Sequence, residues 1–147
     1  VGELKARQIS KGYGNIDHYL TFDRKVQSVK RNLLQLLIGL KNEGKKIVGY
    51  GAPAKGNTLL NYCGIRTDFL DYTVDRSPHK QNCYLPGSRI PIKHPDQIRE
   101  DRPDYVLILP WNIKEEIISQ MDHIKEWGGR FIVPIPDAHI IECETRP

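Results

Sequence analysis

Short apolar runs alternate with helical patterns through most of this chain, and that alternation restricts the fold more than any other feature. The runs occupy residues 47–50, 69–74, 105–109 and 130–135. Helical patterns cover residues 54–63, opened by Pro53, and residues 112–127. Strands that are apolar on both faces are typical of a parallel sheet with helices on each side. The sequence therefore predicts one α/β domain with a Rossmann-like, doubly wound, mainly parallel sheet.

An amphipathic helix precedes the alternating part of the chain. Apolar residues recur there at spacings of three and four, which predicts one apolar stripe on a helix over residues 17–43: Phe22, Val26, Val29, Leu33, Leu36 and Leu40. Asn15 or Asp17 is a candidate cap at its start, and Gly44 is expected to end it. The stripe packs either against this domain or against a neighbouring one. Residues 1–14 show little pattern and are predicted to be a linker or arm before a domain over residues 15–147.

Composition excludes several classes of protein. Of 147 residues, 39% are hydrophobic and 27% are charged, which is typical of a globular domain and not of a disordered or collagen-like chain. No apolar run reaches the roughly 20 residues that a bilayer span needs, so no membrane association is expected. Three cysteines without CxxC spacing predict neither a zinc site nor a complete disulfide set, and indicate a reducing, cytoplasmic location. A start at Val1 suggests a domain of a longer protein.

Positive charge is concentrated at the beginning of the chain. Residues 1–46 contain ten lysines and arginines against four acidic residues. Such a basic flank is compatible with nucleic acid or another anionic partner, or with the solvated face of the first helix. Because aromatic residues do not interleave with the charges, we favour the solvated face and expect no nucleic-acid ligand.

A glycine-rich turn links the first predicted strand to the next helix. Gly49, Gly51 and Ala54 satisfy the loose pattern G-x-G-x-x-G/A, in which backbone N–H groups and a helix start hold a phosphate. Lys55 adds a cation there, whereas Pro53 removes one donor. A phosphate-binding loop of the Walker type is excluded, because Asn57 stands where its lysine should be. The alternative is a tight turn without a ligand.

Polar residues follow the second and third predicted strands. Asp75 stands near the place of a ribose-binding carboxylate, or it simply begins a turn. Trp111 and Asn112 follow the third strand, at the edge where ligands bind in such folds. Trp111 is suited to stacking on a base or sugar and Asn112 to hydrogen bonding. Asn112 is equally suited to capping a helix, with Glu115 completing a capping box.

Catalytic signatures are missing from the sequence. The five histidines form no HExxH motif and no pair at metal-ligand spacing, and no GxSxG elbow is present. The residues alone therefore indicate a domain that binds a phosphorylated ligand and does not catalyse a reaction.

Several separated motifs resemble the C-terminal domain of bacterial C-methyltransferases that act on nucleotide-linked deoxysugars with S-adenosylmethionine. The longest is VGYGAPAKGNTLLNYCGI at residues 48–65. Others are YTVD at 72–75 with Lys80, LPG at 85–87 with IPI at 90–92, PDYVLILPWN at 103–112, WGGRF at 127–131 and PIP at 134–136. The resemblance covers nearly the whole chain from the basic helix onward.

This resemblance implies a longer enzyme with a zinc-binding domain, a domain that binds S-adenosylmethionine, and this Rossmann-like domain. The sugar nucleotide is then expected between the last two. The implied reaction removes a proton beside a 4-keto group, and the enolate carbon attacks the methyl group. Zinc, the methyl donor and the base are expected upstream of this chain, which would have no cofactor or catalytic residue of its own.

Matching positions give the expected binding residues. For the phosphates we expect Gly51, Pro53, Lys55, Gly56 and Asn57. For the sugar or ribose we expect Asp75, Trp111 and Asn112. Two other functions stay open at this point. One is an independent NAD- or CoA-type nucleotide-binding module, and the other is a ligand-free interaction domain that docks through the helix at residues 17–43.

Overall fold

The computed structural model of the chain describes residues 16–142. The predicted arm at residues 1–14, the candidate cap Asn15 and the third cysteine, Cys143, lie outside the described residues. Within that range, none of the helices combines the length and the apolar character that crossing a membrane requires.

A six-stranded sheet lies at the centre of the described chain. Its strands are β1 (Ile47–Tyr50), β2 (Thr73–Val74), β3 (Ile92–Lys93), β4 (Tyr105–Ile108), β5 (Arg130–Val133) and β6 (His139–Ile141). They are ordered β3-β2-β1-β4-β5-β6, all neighbours being parallel except β5 and β6. This is the strand order of a Rossmann-type sheet. The predicted fold class is therefore confirmed.

Helices cover both faces of this sheet. They are α1 (Ile16–Asn42), α2 (Ala54–Cys63), α3 (Asp96–Asp101) and α4 (Lys114–Gln120), with 3₁₀ segments at Trp111–Ile113 and Asp122–Trp127. Successive strand residues point to opposite faces, so Ile47 joins a core with α1 and α2 while Val48 joins a second core with α3 and α4. Burial on both faces explains why the strands are apolar at every position.

Helix α1 packs against the domain only through its second half. Leu33, Leu37 and Leu40 are buried against α2 and the sheet. Near the start, by contrast, Ile16 is 74% exposed and Phe22 is 64% exposed. The predicted stripe is therefore buried at one end and exposed at the other. Past its last residue, Gly44 adopts a φ of +76° and ends the helix as predicted.

The predicted strand at residues 69–74 is wrong over its first four residues. Only Thr73–Val74 forms a strand, because the chain turns before it. The N–H groups of Phe69 and Leu70 both donate to the carbonyl oxygen of Arg66, at 3.0 and 3.1 Å. A turn closed by local hydrogen bonds thus takes residues that the apolar pattern assigns to the sheet.

The predicted helix at residues 112–127 is also wrong as a single element. It is divided into α4 and two 3₁₀ segments, with a break at Met121 (φ −106°, ψ 20°). Its inner positions are nevertheless buried as the spacing predicts, since Ile117, Met121 and Ile124 belong to one core. Strand β6 has no counterpart among the predicted elements.

Candidate functional site

The glycine turn lies at the carboxyl edge of the sheet, between β1 and α2. In the sheet, β1 lies between β2 and β4, so the strand order changes direction at β1. Open α/β sheets bind ligands at the carboxyl edge beside such a point. Gly51 has a φ of +89°, and a Cβ atom there would lie 2.7 Å from Cδ of Pro110. Glycine is therefore required both for the backbone conformation and for the close approach of the chain after β4.

All four backbone polar groups of Gly51 and Ala52 make hydrogen bonds within the protein. Gly51 donates to the carbonyl of Val74 at 2.6 Å, and its own carbonyl accepts from Thr73 Oγ1 at 2.6 Å. The Ala52 N–H donates to Asp75 Oδ2 at 2.9 Å, and its carbonyl accepts from Lys80 Nζ at 3.0 Å. The turn is thus rigidly fixed, and its N–H groups are not free for an anion.

Asp75 holds two backbone segments together. Besides Ala52, it accepts a bond at Oδ1 from the N–H of Ser77 at 2.8 Å, and its Oδ2 lies 3.9 Å from Lys80 Nζ. The Asp75–Ser77 bond is the turn-initiating bond that the sequence left as an alternative for this residue. Both carboxylate oxygens of Asp75 therefore have protein partners.

The start of α2 supplies the remaining backbone donors. The first bond of the helix runs from Asn57 N to Pro53 O at 3.0 Å, so the amides of residues 54–56 precede it and point out of the helix end. Gly56 lies against Leu109, the residue after β4, and a Cβ atom at Gly56 would be 2.8 Å from the Cβ atom of Leu109. Asn57 has a buried side-chain oxygen without a hydrogen-bond partner among residues 16–142.

Lys55, Trp111 and Asn112 form a cluster beside this helix start. The ammonium group of Lys55 lies 4.7 Å from the centroid of the Trp111 ring and donates to Asn112 Oδ1. The capping role considered for Asn112 is wrong, because α4 begins at Lys114 and its N-cap, Ile113, makes no side-chain capping bond. Asn112 instead bonds a residue 57 positions earlier, and the cluster places a cation at the ligand edge.

A cavity of about 220 Å³ opens between the glycine turn and α4, and we call it the first cavity. Its polar walls contain Arg76 and Lys80 together with Asp75 and Glu116. The remaining lining comes from Tyr50, Gly51, Ala52, Pro53, Pro110, Ile113, Ile117 and Gln120. The cavity is therefore narrow, partly apolar and bordered by two cations.

The structure divides the eight predicted site residues into three groups. Gly51, Pro53 and Asp75 border the first cavity. Lys55, Trp111 and Asn112 form the cluster beside it, whereas Gly56 and Asn57 lie within α2 and serve its packing and first turn.

Sequence reasoning from the turn alone missed three residues of the site. These are Thr73, Arg76 and Lys80, of which Thr73 and Lys80 belong to the motifs that carry the family resemblance. They could have been found from their positions within or just after the second strand, because that strand lies beside the first in a Rossmann-like sheet.

Metal and thiol chemistry find little support in the described part of the chain. No group of three or more histidine, cysteine, aspartate or glutamate residues in residues 16–142 is placed to hold a metal ion. Cys63 and Cys83 are free thiols. Burial raises the pKa of Cys63, which keeps its thiol protonated at neutral pH.

Comparison with known proteins finds a family model, a sequence relative and similar solved structures. The model of the C-methyltransferase C-terminal domain family matches residues 1–136. The C-methyltransferase NovU of Streptomyces niveus is 40% identical over 145 residues, which are 99% of this chain and 34% of that protein. The chain thus spans about a third of the length of this relative. A solved structure, UDP-D-quinovosamine 4-dehydrogenase from Vibrio fischeri, is similar with a TM-score of 0.49 and 19% identity, over 68% of this chain and 95% of that one.

Proposed function

Because this chain belongs to the family of C-methyltransferase C-terminal domains, we propose that it binds the nucleotide diphosphate of a sugar nucleotide. The ligand lies at the carboxyl edge of the sheet, along the glycine turn and the first cavity. The chain itself binds the substrate, and the rest of the enzyme carries out the methyl transfer.

One observation carries the proposal: three cations from two separate segments converge on this edge. Lys55 comes from the first turn of α2, while Arg76 and Lys80 follow β2. A diphosphate has negative charge for all three, and the amides of residues 54–56 offer further donors at the positive end of the helix dipole. Asp75 and Glu116 also border the cavity, but the charge of Asp75 is offset by Lys80 and two N–H groups.

The predicted residues take different roles in this arrangement. Gly51, Pro53 and Gly56 shape the turn and let α2 approach the sheet, so that phosphate oxygens can come close to the helix start. Lys55 contacts the phosphates directly, and Asn57 supports the first turn. Asp75, Trp111 and Asn112 border the sugar or ribose, where the indole offers a face and Asn112 a polar edge.

The remaining two thirds of the enzyme complete the reaction in this proposal. That part binds zinc and S-adenosylmethionine, which supplies the methyl group, and it contributes the base that removes the proton next to the 4-keto group. The exposed first half of α1, with Tyr19 and Phe22, faces this upstream methyltransferase domain. The free thiols of Cys63 and Cys83 support a cytoplasmic location.

An NAD-type module is less well supported by the same geometry. In such modules a carboxylate after the second strand accepts hydrogen bonds from ribose hydroxyls, and turn N–H groups face the pyrophosphate. Here both oxygens of Asp75 already accept protein hydrogen bonds, and Pro53 removes a donor.

Calorimetric titration of this chain with dTDP, NAD and S-adenosylmethionine tests the proposal. We expect binding of dTDP, and no binding of S-adenosylmethionine. Preferential binding of NAD would contradict the proposal in favour of an independent nucleotide module. If none of the three binds, the titration is repeated with the full-length enzyme, and a second failure would favour a ligand-free interaction domain.

Replacing Lys55 with alanine is expected to weaken dTDP binding by about 1.5–2 kcal/mol, or roughly tenfold or more, because a charge-assisted contact is lost. The matched control is Lys30→Ala, since Lys30 also lies over an aromatic ring, 5.1 Å from the Tyr62 centroid, but on the surface between α1 and α2. Calorimetry of both variants measures the difference. Equal losses in both, or an equal loss for uncharged thymidine, would remove Lys55 from the phosphate site.

Replacing Trp111 with alanine is expected to lower both ligand affinity and stability. The indole is half-buried and packs against both cores, so truncation costs about 2 kcal/mol of unfolding free energy, less than the figure for a fully buried aromatic residue. Trp111→Phe retains a ring and should recover most of the stability. Denaturant melts and dTDP titrations of the two variants separate the effects. Unchanged affinity in a folded Trp111→Ala protein would assign this residue to packing alone.

A further inference from the structure

A second and larger cavity lies beside the first, on the other side of Arg76. It has a volume of about 520 Å³. Its walls come from the carboxyl ends of β1, β2 and β3, from α3, and from the break after α4. The lining residues are Tyr50, Arg76, His94, Pro95, Asp96, Arg99, Gln120, Met121 and His123. Of the residues assigned to the nucleotide phosphates, Arg76 alone lines it, and the two cavities share Tyr50, Arg76 and Gln120.

Two guanidinium groups face this second cavity. Nη1 of Arg76 donates to Gln120 Oε1 at 3.2 Å, which holds its side chain in the shared wall. Arg99, from α3, makes no hydrogen bond or ion pair with any residue of the described part of the chain. Asp96 is the single carboxylate in the lining, so the two arginines leave an excess of positive charge.

The hydroxyl of Tyr50 is a third feature of the second cavity. Tyr50 is only 6% exposed and lines both cavities, yet its hydroxyl finds no hydrogen-bond partner within residues 16–142. Burial raises the pKa of Tyr50, against an opposing effect of Arg76, so the hydroxyl stays a proton donor at neutral pH. Because this hydroxyl is open to the cavities, an oxygen-rich ligand bound there can accept its hydrogen bond.

We propose that the second cavity binds a phosphate group between the guanidinium groups of Arg76 and Arg99, with the Tyr50 hydroxyl as an additional donor. A phosphate dianion has enough acceptor oxygens for all three groups, and guanidinium–phosphate pairs are among the strongest hydrogen bonds in proteins. The phosphate belongs either to a free phosphorylated compound or to the nucleotide of the first cavity. The site itself does not depend on the assignment of Lys55 or the glycine turn.

His123 reports on occupancy of this site. Burial, and secondly the charge of Arg99, lower its pKa, while Glu126 and Asp122 on its own segment and Asp96 on α3 act in the opposite direction. A phosphate next to Arg99 offsets the repulsion and favours the protonated imidazole. The pKa of His123, followed by NMR, is therefore expected to rise by about one pH unit in saturating inorganic phosphate. An equal rise in chloride at the same ionic strength would contradict specific binding.

Two arginine variants give the decisive comparison. Arg99→Gln is expected to weaken binding of inorganic phosphate about tenfold in calorimetry and to remove the phosphate effect on His123. Arg66→Gln removes the same charge from the exposed turn before β2, at the opposite edge of the sheet, and should bind phosphate like the unchanged protein. Equal affinities in the two variants would overturn the site, as would the absence of any response to phosphate.

A further titration with dTDP identifies the source of the phosphate. If dTDP changes the His123 signal and Arg99→Gln removes that change, the site takes a phosphate of the nucleotide. If only inorganic phosphate acts and dTDP does not displace it, the site takes a separate phosphorylated compound. Both results support the site. If Lys55→Ala loses dTDP binding while His123 still responds to inorganic phosphate, only the first cavity is affected. The nucleotide site and the second-cavity phosphate site can therefore fail independently.

Discussion

Replacement of Asp75 with alanine is expected to lower the free energy of unfolding by about 3–5 kcal/mol, more than any other substitution considered. The carboxylate accepts hydrogen bonds from the N–H groups of Ala52 and Ser77, and each bond to a charged acceptor contributes about 1.5–3 kcal/mol. The variant leaves the Ala52 N–H without its acceptor in a partly buried turn. It also removes one of the two partners of the Lys80 ammonium group, the other being the Ala52 carbonyl.

Asp68→Ala is the matched control for this prediction. Asp68 also accepts a bond from an N–H group two positions away, that of Arg66 at 3.2 Å, but on an exposed turn with no second segment attached. Its replacement should cost well under about 1 kcal/mol. Urea melts of both proteins measure the difference, and Asp75→Asn, which keeps an acceptor oxygen, should lie between them. Similar midpoints for Asp75→Ala and Asp68→Ala would show that Asp75 does not hold the turn.

Gly51→Ala is expected to lower the free energy of unfolding by about 3 kcal/mol. Part of this cost comes from a non-glycine residue at φ +89°, worth about 1–2 kcal/mol. The rest comes from placing Cβ 2.7 Å from Cδ of Pro110, an atom tied to the backbone through the proline ring and unable to move aside. Because the turn and the chain after β4 must then separate, dTDP binding should fall as well.

Gly64→Ala separates these two contributions. Gly64 also has a positive φ, +71°, but no atom lies within 4 Å of a Cβ built there. This variant should therefore show the backbone cost alone, about 1–2 kcal/mol, and normal dTDP binding. Equal losses of stability in the two variants would show that Pro110 yields and that the close approach does not limit the turn.

The spacing of apolar residues predicts a helix or strand well where burial alone determines which of its faces are apolar. Strand β1 and helix α2 have the predicted bounds, and β4 and β5 differ from theirs only at the last residues. Local patterns fail where distant hydrogen bonds compete. Asn112 has the sequence surroundings of a helix cap, yet its oxygen accepts from Lys55. In the last 3₁₀ segment, the indole of Trp127 donates to the carbonyl oxygen of Pro103 at 2.9 Å. The two residues are 24 positions apart, so a local sequence pattern does not reveal this contact.

The site shows the same division between local and distant information. The glycine turn and Asp75 stand out in the sequence because a Rossmann-like fold requires a tight turn after one strand and often an acid after the next. That the acid bonds the turn itself depends on the pairing of β1 with β2, which brings Ala52 and Asp75 together across 23 positions of the chain. Arg99 and Tyr50 carry no local signal, since their importance comes from a cavity formed by four segments.

Anchoring at one end gives α1 a gradient of amide-exchange protection along its length. A helix of 27 residues is about 40 Å long. Isolated helices shorter than about 12–15 residues are only marginally stable, so amides near Tyr19 should exchange through local fraying, while those near Leu37 exchange only when the core opens. A partner that covers the first turns must order them as it binds. Its affinity should therefore respond to the helix propensity of solvent-facing residues that never touch it.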